Sequence, residues 1–102
     1  MKKLLLTVFL LIPLGAQADQ CIAHYTFGGN VMKARQDDVP VEYFHKAIKE
    51  LDGSKKKKET ARVIVKMAYE YPILFRQSHK DELIATFAEA VYKACDKGGY
   101  RE

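Results

Sequence analysis

Cys21 and Cys95 stand near the two ends of a short chain, with 73 residues between them and no third cysteine. One pair permits one intramolecular bridge, and such a bridge would pin the first part of any fold to the last. Whether the thiols meet an oxidant depends on the compartment. The first eighteen residues, MKKLLLTVFLLIPLGAQA, bear on that question. Lys2 and Lys3 precede an apolar run from Leu4 to Leu14, and Ala16-Gln17-Ala18 has the small-x-small form that a signal peptidase reads. We expect residues 1–18 to be a signal peptide, cut between Ala18 and Asp19, and the product to be periplasmic or secreted. The apolar run contains Pro13 and is far shorter than the ~20 residues a spanning helix needs. Asp19-Gln20 lies where a lipoprotein would have a small residue before its cysteine, so no lipid anchor is expected.

Export makes Cys21–Cys95 a disulfide on this reading. It would close a loop of about 75 residues, for which chain entropy gives roughly 4 kcal/mol. That is a large share for the single helical domain expected over 19–102, whose small core leaves a thin margin. A catalytic dithiol would instead sit as Cys-x-x-Cys.

Export also changes the meaning of the charge. The whole chain has 17 basic and 13 acidic residues. Removal of Lys2 and Lys3 leaves 15 against 13, so the net charge falls from +4 to +2. Nucleic acid is then an unexpected partner, despite the run Lys55, Lys56, Lys57 and Lys58.

Apolar spacing predicts four helices. Cys21, Tyr25, Gly28, Met32 and Arg35 recur every three or four residues, giving a first helix over about 20–36. Gly28-Gly29 either lets another backbone approach or breaks this segment. Asp37-Asp38-Val39-Pro40 is a boundary, and the second helix is expected from Pro40 with Val41, Phe44, Ile48 and Leu51 inward. The third, over about 56–71, turns Ala61, Ile64, Val65, Ala68 and Tyr69 to the core. The preceding lysines oppose the helix dipole there and are expected to fray or stay in a solvated loop. Pro72 to Gln77 forms a connection whose Ile73, Leu74 and Phe75 could pack down over the core. Ser78 is the expected N-cap of the fourth helix, with Ile84, Phe87, Ala88, Val91 and Cys95 inward and Gly98-Gly99 as the stop. The expectation is an all-α domain of about four helices, orthogonal or bundle-like, closed by one disulfide.

Little here suggests catalysis. His24, His45 and His79 lack the spacing of a zinc motif, although His24 and His45 could meet across helices near Asp37 or Asp38. Ser54 and Ser78 lie outside any Gly-x-Ser-x-Gly, and carboxylates such as Glu50, Glu70, Asp81 and Glu82 have no separation readable from sequence. We expect no enzyme and no cofactor. Aromatic residues are plentiful: ten of the 84 residues after position 18. Tyr43, Tyr71, Phe75 and Tyr92 fall outside clear core stripes, either half-buried at helix edges or free for recognition. Arg35-Gln36 and Arg76-Gln77 are polar pairs beside turns, where an arginine can bind the last carbonyls of a helix or a partner. Arg35, Tyr71, Phe75 and Arg76 are the candidate partner-binding residues.

The series Cys21, Met32-Lys33-Ala34-Arg35-Gln36, Ala68-Tyr69-Glu70-Tyr71-Pro72, Phe87 and Cys95 resembles small exported helical proteins of bacteria and their phages, a group with no established activity. The resemblance spans nearly all of the chain after the signal segment and implies a disulfide-linked helical domain. Pro40 stands where that group has a helix-starting serine or threonine.

The leading functional expectation is binding of another protein in the periplasm or envelope, as an inhibitor or phage-exclusion factor. The alternatives are contact of Lys55–Lys58 with anionic lipid or lipopolysaccharide, and carriage of a small ligand or metal.

Overall fold

The structure is a computed structural model that describes residues 16–97, with side chains described from Gln20 onward. Most of the expected signal segment, the Gly98-Gly99 stop and Tyr100 lie outside the described residues. Four helices follow in order: α1 Ala16–Gln36, α2 Glu42–Lys49, α3 Lys55–Tyr69 and α4 Gln77–Asp96. The fold is all-α, as the periodicity predicts, and Cys21 and Cys95 form its disulfide across 5.4 Å between Cα atoms.

α1 and α4 make the tightest contact. Cys21 meets Cys95, Tyr25 meets Tyr92, Gly28 meets Val91 and Gly29 meets Ala88. Numbers rising along α1 as they fall along α4 describe an antiparallel pair. The double glycine therefore serves close approach, and α1 runs unbroken through it. A Cβ on Gly28 would sit 3.0 Å from Val91 Cγ2, whereas one on Gly29 would lie an ordinary 3.4 Å from the Ala88 methyl.

Val31, Met32, Phe44, Ile48, Ile64, Val65, Ala68, Phe87 and Val91 form the core beneath this pair. The inward stripes of α2, α3 and α4 fall largely where spacing put them, except that Leu51 is substantially exposed. α1 departs further: Tyr25 is exposed, while Val31 and Gln36 are buried. Two neighbours explain this, because α1 packs on α4 along one side and α3 along another.

The α1–α2 boundary has a more specific cause than Pro40. Asp38 takes a left-handed conformation at φ 64°. Val39 N donates to Ala34 O and Asp38 N to Arg35 O, the pair of bonds that closes a helix C-terminus around a left-handed residue. α2 then begins at Glu42 rather than Pro40, since Pro40 and Val41 form a turn whose carbonyls accept from Tyr43 N and Phe44 N.

Two other helix starts correct the expectation. The lysine run lies inside α3, whose N-cap Ser54 accepts a hydrogen bond from Lys57 N at 3.0 Å. That cap offsets the unfavourable lysine charges near the helix start. α4 starts at Gln77, before Ser78; its N-cap is Arg76, in extended conformation and without a side-chain cap. Gln77 Nε2 instead donates to Asp81 Oδ1 one turn on, at 2.8 Å.

Candidate binding surface

The connection from α3 to α4 is fixed by the last two residues of α1. Gln36 is only 2% exposed, one turn beyond the buried Met32. Its side-chain amide cannot be left bare there without a desolvation penalty of roughly 1–3 kcal/mol. It is satisfied by the connection's main chain. Gln36 Nε2 donates to Pro72 O at 2.9 Å, and Leu74 N donates to Gln36 Oε1 at 2.7 Å. Lys80 Nζ reaches back from α4 to Gln36 O at 3.2 Å, tying in the far side.

Arg35 adds a third main-chain bond, from Nε to Tyr71 O at 2.8 Å. Its guanidinium lies 5.3 Å from the centre of the Tyr69 ring, within cation–π range. Tyr69 donates its hydroxyl to Val39 O at 2.7 Å, joining the end of α3 to the turn after α1. Burial raises the Tyr69 ionisation above the ordinary tyrosine value; the Arg35 charge opposes that shift, and Asp38 and Glu42 add to it.

Held this way, the connection presents side chains instead of burying them. Leu74 is half-buried, but Phe75 is 97% exposed and Ile73 41%. The expected packing of all three over the core is therefore not seen: only Leu74 is even half-buried, and it is not among the side chains packed against the core. Tyr71, 43% exposed, meets Phe87 edge-to-face at 6.0 Å. Arg76 is exposed beside Phe75.

Of the four candidate partner-binding residues, Tyr71, Phe75 and Arg76 thus lie in one connection. Arg35 is half-buried, with its Nε–H committed to Tyr71 O, in a supporting position. Sequence reading noted the Arg35-Gln36 pair but missed Gln36 as the central fastening. The available signal was a glutamine four residues after Met32, in line with a core position.

Lys55–Lys58 lie at the opposite end of α3. The helical rise of ~1.5 Å per residue from Lys58 to Tyr69 puts about 17 Å of helix between them and the aromatic connection. One small contact cannot use both. His24, His45 and His79 stand on α1, α2 and α4, and no group of three or more potential metal ligands occurs among the described residues. No helix among them is long and apolar enough to cross a membrane. Comparison with protein-family models, curated proteins and solved structures found no match to this chain.

Proposed function

We propose that this chain is a protein-binding module of the periplasm or envelope, contacting its partner through Tyr71–Arg76. The supporting observation is an almost wholly exposed Phe75 on a connection whose main chain is fastened at Tyr71, Pro72 and Leu74. An aromatic side chain on a pre-ordered main chain loses little conformational freedom on docking, so more of its burial appears as affinity. Exposed Tyr71 and Arg76 are residue types enriched at energetically dominant contacts. The disulfide suits an oxidising compartment. Inhibition of an envelope enzyme, or exclusion of incoming phage, is the role we attach to this contact.

The test is capture from periplasmic extract with the disulfide-bonded protein and its Phe75→Ala variant. The wild type should retain a discrete partner, and the variant should bind it at least ~30-fold more weakly, as for a dominant contact of about 2 kcal/mol. The helical circular dichroism of the variant should be unchanged. Equal capture by both folded proteins, or by neither, would reject the reading.

A further inference from the structure

The lysine end of the molecule contains a second candidate site, independent of the protein-binding reading. α1, α2 and α3 enclose an apolar groove of about 260 Å³. Its walls include Ala23, Phe27, Phe44, Ile48, Leu51 and Ile64, and among the described residues Lys57 is the lysine that lines it, with His24 as its other titratable wall residue. Of the lining residues, Phe44, Ile48 and Ile64 are buried, whereas Ala47 and Leu51 are exposed.

The surrounding charge is one-sided. Between Lys46 and Arg62 there are seven basic and three acidic residues; the rest of the chain after position 18 has eight basic and ten acidic. The excess positive charge therefore falls in the segment that walls the groove. We infer that the groove binds a free single-chain anionic amphiphile of the fatty-carboxylate class, with its aliphatic tail among Phe27, Phe44 and Ile48 and its head group at Lys57.

Each part of that ligand answers an observed feature. Apolar walls favour an aliphatic chain over water, and a cationic rim favours an anionic head over a neutral or cationic one. A concave groove favours a free molecule, because a flat bilayer surface does not follow its walls, whereas a single tail can lie within it. Lys55, Lys56 and Lys58 strengthen the positive field around the rim.

The experiment is an NMR titration of the purified disulfide-bonded protein with hexanoate, octanoate and decanoate, each below its micellar concentration. Shifts should concentrate at Ala23, Phe27, Ile48 and Leu51, and affinity should rise about fourfold per added methylene. Decyltrimethylammonium should bind at least ~10-fold more weakly than decanoate, and Lys57→Glu should narrow or reverse that preference. Ala47→Phe, placing a ring on the groove wall at an exposed position, should block decanoate. If that variant fails to fold, the head-group preference of Lys57→Glu still decides the matter. The inference is overturned by equal affinity for both head groups, by affinity independent of chain length, or by shifts centred on 71–76. Binding to anionic vesicles without binding to free decanoate would overturn it too, as would groove shifts that follow protein concentration alone and so assign the groove to a second copy.

Discussion

The two ends of this helical domain are fastened by different chemistry. At one end Cys21 and Cys95 join the start of α1 to the end of α4 by a covalent bond. At the other, Gln36 and Arg35 join the end of α1 to the chain between α3 and α4 by three hydrogen bonds to main-chain atoms. The covalent end can leave an open apolar groove beside it, because closure does not depend on filling that space. The hydrogen-bonded end has to satisfy a buried amide, and the main chain at Pro72 and Leu74 does so while Phe75 is exposed. In a small domain, the type of fastening thus governs what the neighbouring surface can present.

The strongest way to break the comparison is to open the covalent end. Replacing both cysteines by serine, or reducing the bridge, should lower unfolding free energy by about 4 kcal/mol in urea titrations. Hydrogen exchange should quicken first near Cys21 and Cys95 and last around Leu74; uniform loss of protection would show that the two ends are not separable. The next largest effect should come from the other fastening. Gln36→Leu leaves Pro72 O and Leu74 N without their partner, and should cost about 2–3 kcal/mol with the Leu74 amide losing protection.

The double glycine sharpens the comparison at the helix pair that links the ends. Gly28→Ala drives a methyl against Val91, an overpacking cost of about 1–3 kcal/mol that exceeds the gain in helix propensity. Gly29→Ala meets only ordinary contact and should stabilise by about 0.5–1 kcal/mol. Opposite signs for adjacent, chemically identical changes are the expected result in thermal melts.

A further effect of about the same small size concerns Tyr69. Tyr69→Phe removes the bond to Val39 O and should cost about 1 kcal/mol near neutral pH. Because burial raises this group's ionisation, the folded protein keeps the phenolic proton after the unfolded chain has begun to lose it. Its stabilising contribution is complete below the unfolded value of about 10 and disappears as pH rises through the folded value. Stability of the wild type should therefore fall more steeply than that of Tyr69→Phe above that pH.

Much of the fold was legible because local repetition encodes it. Phe44 and Ile48, Ile64, Val65 and Ala68, and Phe87, Ala88 and Val91 each mark one inward face at helical spacing, and two cysteines leave one way to pair. The glycines were ambiguous because close approach and helix breaking call for the same residue; only Val91 and Ala88 opposite them decide. Ser78 misled because it sits one residue inside a helix that Arg76 precedes without a side-chain cap. Of the candidate surface, Tyr71, Phe75 and Arg76 were readable from composition and position. Gln36 was not, since its partners lie 36 and 38 positions away and are main-chain atoms, which leave no mark in a residue pattern.

That same indifference to side-chain identity has a practical side. Gln36 grips the peptide groups of Pro72 and Leu74, and Arg35 that of Tyr71, so the fastening does not read what residues 73, 75 and 76 carry. The connection is in effect an interchangeable cartridge. New side chains at Ile73, Phe75 and Arg76 should leave that mount unaltered, so the surface chemistry of the connection can be varied without redesigning the fold.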